Sequence, residues 1–109
     1  MWIVKIGGSW INNPNLSNLI KNLQRLSNKD NIIIVNGGGV FSDSVRLVYE
    51  NKRMSEKTGN YIALKATELF SHLLKEIDKN ICLVDDIESL EFSNKMLKIW
   101  LPSMILKND

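Results

Sequence analysis

The chain has 109 residues, 44% of them apolar and 24% charged, a balance that suits one small domain with its own core and excludes a disordered tail or a fibrous repeat. Fourteen basic residues against twelve acidic ones leave a formal charge of +2, and without a basic stripe no nucleic-acid partner is expected. The longest apolar runs, such as residues 32–35, fall far short of the roughly 18–20 residues of a membrane helix, so no membrane partner is expected either.

In chain order, residues 2–6 form a short apolar run closed by Gly7-Gly8, the length and boundary of a buried strand. The chain enters this run without a leader pattern, which predicts a cytoplasmic protein. Leu16, Leu19, Ile20, Leu23 and Leu26 recur at helical spacing after the turn Asn12-Asn13-Pro14, with Asn15 as the predicted N-cap. Residues 32–35 are a continuous β-branched run of the kind found in covered parallel strands, and Gly37-Gly38-Gly39 follows it. A helix is predicted over residues 42–52 with Phe41, Val45 and Val48 inward. Ser55 caps a longer one whose inward stripe reads Ile62, Ala66, Leu69, Phe70, Leu73 and Ile77. Residues 81–84 form a third buried strand, residues 85–94 a short helix or a loop, and residues 95–101 a strand with Met96 and Lys98 opposed to Leu97, Ile99 and Leu101, stopped by Pro102. The alternation predicts the α/β class, a three-layer α/β/α domain with a mostly parallel sheet, as a single domain over residues 1–109.

Two glycine clusters, Gly7-Gly8-Ser9 and Gly37-Gly38-Gly39, each follow a strand. Ligands of open α/β sheets sit outside the carboxyl ends of the strands, where bare backbone and a helix N-terminus favour an anion. Each cluster alone reads equally as a tight β-α turn; two on adjacent strands would face one crevice. Lys5 lies two residues before the first cluster in an otherwise apolar strand. A covered strand does not readily accept a charge, so its ammonium either reaches the crevice or sits in solvent on an edge strand. Neither cluster is a Walker A loop or a dinucleotide fingerprint. Asp85-Asp86 reads as a solvated loop, His72 as structural, and the single cysteine, Cys82, leaves no disulfide and no cysteine metal cage, so no protein metal site is expected.

Val4-Lys5-Ile6-Gly7-Gly8-Ser9 followed by Ile33-Ile34-Val35-Asn36-Gly37-Gly38-Gly39 resembles the amino acid kinase family, which includes acetylglutamate, aspartate and uridylate kinases. Gly37 to Arg46, then Ala63-Leu64-Lys65-Ala66, then Trp100-Leu101-Pro102-Ser103, are similar to the branch of aminomethylfuran-phosphate kinases, with Asn60 standing where that branch carries a histidine. The resemblance covers the whole chain but only the N-terminal, acceptor-binding half of such a kinase. It implies phosphoryl transfer from ATP with Mg to a small anionic acceptor bearing a phosphate or a carboxylate. Lys5 would be catalytic, Gly7, Gly8 and Ser9 would hold the phosphate, and Gly37, Gly38, Gly39, Asp43 and Arg46 would bind the acceptor. For Asp43 and Arg46 the alternative is a surface i,i+3 ion pair. Most of the nucleotide site lies in the family's C-terminal half, so the resemblance also implies a complementary half as partner. The rival expectation is a non-catalytic binding or assembly module derived from such a kinase, forming a homodimer with the third helix as the dimer surface.

Overall fold

The structure is a computed structural model, and it describes residues 1–86 and 96–101. Four strands, β1 (Trp2–Ile6), β2 (Ile32–Asn36), β3 (Cys82–Val84) and β4 (Leu97–Trp100), form one parallel sheet in the order β1-β2-β4-β3. Among the described residues three helices connect the first three strands: α1 (Leu16–Leu26), α2 (Val40–Lys52) and α3 (Glu56–Ile77). A 3-10 turn over Gly8–Asn12 precedes α1. This is the α/β class that the alternation of strand and helix predicts.

The register places Val4, Ile34, Ile99 and Leu83 in one row across the sheet. Period-two alternation puts Ile6, Ile32 and Leu97 on the same face, where they meet Leu16, Ile20 and Leu23 of α1 and Phe70 and Leu74 of α3 in one core. Both crossovers, β1-α1-β2 and β2-α2-α3-β3, step in the same direction, so right-handedness lays α1 and α3 on that one face. The described residues that would cover the other face include no helix. Yet Ile33 there is buried, and so is Lys98 at 3% exposure. Alternation therefore holds through β4, with Lys98 opposed to Leu97 and Ile99 inside the protein.

Several expectations are corrected by the packing. Strand β1 is an edge strand and not a buried one: Trp2 is 65% and Ile3 63% exposed, and only Ile6 is fully buried. Asn15 occupies the N-cap position of α1 without a capping bond from its side chain; instead the Asn13 side-chain oxygen accepts the Asn15 N–H at 2.8 Å, an Asx turn. Leu26 lies exposed past the end of the α1 stripe. Helix α2 begins at Val40 because the carbonyls of Gly38 and Gly39 accept the N–H groups of Phe41, Ser42 and Asp43. It packs on α3 instead of the sheet, so Phe41 and Val45 are half-buried and Val48 is exposed. In α3 the inward stripe is Ala66, Phe70 and Leu74, while Leu69 and Leu73 face outward.

Ser55 caps α3 as predicted, its hydroxyl oxygen accepting the Thr58 N–H at 3.2 Å. The predicted elements of residues 87–94 lie outside the described residues, as does Pro102. The N-terminal ammonium sits 3.3 Å from the Asp30 carboxylate, and the Trp2 N–H donates to the Asn31 carbonyl at 2.8 Å. The hydrogen bond from that ammonium, together with one from the Asn31 N–H, holds the Asp30 carboxyl below its ordinary value.

Candidate functional site

Strands β1 and β2 run side by side with Ile6 opposite Asn36, and the Gly37 N–H donates to the Ile6 carbonyl at 3.2 Å. Both glycine loops therefore leave the sheet together at its carboxyl end. They touch: a Cβ on Gly8 would lie 2.8 Å from the Cα and 2.9 Å from the N of Gly39. Gly39 has φ +57 and ψ −138, a conformation that side-chain-bearing residues rarely adopt, and its backbone also lies against Ile11 and Phe70. A Cβ on Gly38 would collide with the Ser42 hydroxyl.

The two loops and the first turns of α2 enclose an open cleft of about 490 Å³, lined among others by Gly8, Ser9, Gly38, Gly39, Asp43 and Arg46. Among the described residues, the backbone N–H groups of Gly8, Ser9, Gly38 and Gly39 donate to no carbonyl. Unengaged N–H groups at a helix N-terminus are suited to an anion. Arg46 adds a fixed positive charge. Its guanidinium lies 3.7 Å from the Asp43 carboxylate, and both side chains are about 70% exposed. The pair forms the surface i,i+3 ion pair of the second alternative, loosely, and does so on the wall of the cleft.

Lys5, Gly7 and Gly37 do not line that cleft. Lys5 is exposed on the edge strand, and alternation sets it with Ile3 on the face away from α1 and α3. Gly7 has open space where a Cβ would be. His72 lies exposed on α3, 3.7 Å from the Glu68 carboxylate. Among the described residues no three His, Cys, Asp or Glu side chains gather as a metal site, and no helix is long and apolar enough to cross a membrane.

Asn36 was legible only as part of a motif, but it is the joint between loop and scaffold. It is 6% exposed at the end of β2. Its amide NH2 donates to the Gly37 carbonyl at 2.9 Å and to the Thr67 carbonyl at 3.1 Å, and its oxygen accepts from the Ser71 hydroxyl at 2.9 Å. The second glycine loop is thereby tied to α3. The signal was a polar residue ending an apolar strand, together with a serine one turn above Thr67. Ser42, on the first turn of α2, also borders the cleft without having been singled out.

No family model matches the chain. It is 34% identical to the 5-(aminomethyl)furan-3-ylmethyl phosphate kinase of Methanocaldococcus jannaschii, over an alignment taking in 97% of this chain and 50% of that protein. Its fold superposes on the crystal structure of uridylate kinase from Archaeoglobus fulgidus with a TM-score of 0.76 and 22% identity, over 91% of this chain and 49% of that one. The chain spans about half the length of the relatives it matches. Along nearly its whole length, then, it is similar to the N-terminal half of an amino acid kinase family enzyme and has the α/β fold of that half.

Proposed function

We propose that this chain is the acceptor-binding half of a small-molecule kinase, working with a complementary half that carries most of the nucleotide site. The observation that carries the reading is the backbone contact of Gly8 with Gly39, which merges two strand-end loops into one cleft beside Arg46. In the transfer, an acceptor oxygen forms a bond to the terminal phosphorus of ATP as the bond to the ADP oxygen breaks. Catalysis of that kind is mostly positioning and charge stabilisation. The N–H groups of Gly8 and Ser9 would hold the phosphoryl oxygens. Gly38, Gly39, Asp43 and Arg46 would form the acceptor side, with Gly37 behind them as the link to β2. Lys5, exposed at the sheet edge, would meet the transferring group once the second half is in place. The described residues fit phosphate groups and offer no carboxylate cluster for a metal, so Mg would be held chiefly by the nucleotide phosphates. We assign the reaction to the cytoplasm, where ATP is at hand. The acceptor named for the Methanocaldococcus jannaschii relative, a phosphate ester on an aminomethylfuran ring, is the acceptor we assign here.

Titrating inorganic phosphate into the labelled chain tests the cleft directly. The amide signals of Gly8, Ser9, Gly38 and Gly39 are expected to shift together and saturably. Unmoved signals at millimolar phosphate would sink the reading.

One observation favours a second role as an assembly module. Trp2 and Ile3 of the edge strand β1, and Met1 just before it, are each exposed by more than 60%, where natural sheets usually place charges. Beside them Trp2, Val4, Leu23, Leu26 and Ile32 line a largely apolar groove of about 540 Å³. This seam, rather than α3 alone, is where the other half of the fold or a second copy would attach. A Trp2→Lys, Ile3→Lys variant that sediments like the unaltered chain in the presence of its partner would argue against it.

A further inference from the structure

The glycine cleft continues past α2. Ser42 and Arg46 border both it and a second recess of about 280 Å³ between α2 and α3. The inner walls of this recess are apolar, from Val45, Tyr49 and Ala63. Gly59 shapes it: a Cβ there would lie 2.6 Å from Cδ2 of Tyr49, so the phenol ring rests on bare helix backbone and forms a flat wall. Two polar groups complete the lining, Glu56 in the first turn of α3 and Asn60 one turn on. Neither the Glu56 carboxylate nor the Asn60 amide has a side-chain partner among the described residues. The recess therefore offers a cation shared with the phosphate cleft, an aromatic wall and an unengaged carboxylate.

Resting on the function proposed above, we infer that this recess selects the acceptor: it takes a phosphate ester of a flat ring that also bears a primary ammonium. Arg46 meets the ester phosphate at the junction with the glycine cleft, where the fork of a guanidinium suits phosphate oxygens. Tyr49 lies against the ring. Glu56 accepts hydrogen bonds from the ammonium, and the Asn60 side-chain oxygen supplies a second acceptor. A neutral hydroxymethyl ring in the same place would forgo the charge-assisted bond to Glu56.

Calorimetric titration of the chain with three probes tests this: the aminomethylfuran phosphate ester, its hydroxymethyl counterpart and inorganic phosphate. The amine ester is expected to bind about tenfold or more tightly than the hydroxymethyl ester, the scale of a hydrogen bond between charged groups. Glu56→Gln should bring that ratio to about one while inorganic phosphate binds as before. Tyr49→Leu should weaken both esters without affecting inorganic phosphate, and circular dichroism of each variant shows whether α2 and α3 persist. Glu56→Asp, which keeps the charge, should retain part of the preference. Phosphate binding with equal affinity for the two esters, or an unchanged ratio in Glu56→Gln, overturns this inference and leaves the phosphate-cleft reading standing. Failure of all three probes to bind overturns both.

Discussion

The Ser71 hydroxyl on α3 donates a 2.9 Å hydrogen bond to the side-chain oxygen of Asn36 at the end of β2, and both residues are buried. Through it the second glycine loop is held to the longest helix. Ser71→Ala leaves the Asn36 oxygen buried without its donor, and Asn36→Ala strips the Ser71 hydroxyl of one acceptor, the Gly37 carbonyl of its side-chain donor and the Thr67 carbonyl of one of its side-chain donors. Each is expected to cost about 1–3 kcal/mol in urea unfolding. Because the two share one network, the double variant should cost less than the sum of the single ones. Strict additivity would show the bond to be energetically silent.

Gly8→Ala places a methyl group against the backbone of Gly39, which has no flexible end to yield. The expected cost is about 1–3 kcal/mol, as for overpacking elsewhere. The loops must part, so the phosphate-induced shifts of the Gly38 and Gly39 amides should vanish as well. Gly7→Ala, with nothing near its Cβ position, is the matched control and should do neither.

Lys5 and Arg46 separate chemistry from stability. Both are exposed, and the Arg46 to Asp43 pair is long and solvated, so alanine at either position should change unfolding free energy by about 0.5 kcal/mol or less. Arg46→Ala should weaken phosphate binding by the isolated chain, whereas Lys5→Ala should leave it intact. In the reconstituted kinase Lys5→Ala is expected to lower turnover by roughly 10²-fold or more. Turnover retained to within a few-fold would remove Lys5 from the mechanism.

Asp30 predicts a small acid-side dependence of stability. Its carboxyl is held below the ordinary 3.8 in the folded chain, first by the hydrogen bond from the N-terminal ammonium. A depressed folded value means that the contribution is complete above 3.8 and is lost as pH falls through the folded value. Asp30→Asn should therefore be less stable than the unaltered chain at pH 6, and the gap should close toward pH 2. Denaturation midpoints across that range check it, and a gap independent of pH would assign the loss to packing.

Much of the fold was legible because it rests on local physics. The run Ile32-Ile33-Ile34-Val35 has no use outside a covered strand, and Ser55 ahead of Thr58 caps a helix wherever that helix packs. The glycine clusters were legible as paired strand-end loops for the same reason. Only part of the inward stripe of α3 was legible: Ala66 and Phe70 are in both the expected and the observed stripe, but Leu69 and Leu73 in place of Leu74 differ by a fraction of a turn, and only the sheet decides between them. The role of Asn36 was hidden for a related reason, since its partners Thr67 and Ser71 lie more than thirty residues away.

By itself the amino-acid sequence determined the parallel α/β class and the two glycine loops, which follow from spacing along the chain, and its motifs carried the kinase resemblance. The tertiary structure alone decided strand order, and with it that β1 is an exposed edge, that Gly8 and Gly39 meet, and that Lys5 stands apart from the cleft lined by Arg46. The physical reason is that period-two and period-3.6 patterns specify which side of an element is apolar but not which neighbour covers it. The 109 residues read as one small domain with its own core; among the described residues that core is there, but β1 is left as an exposed edge, a property of the packed sheet.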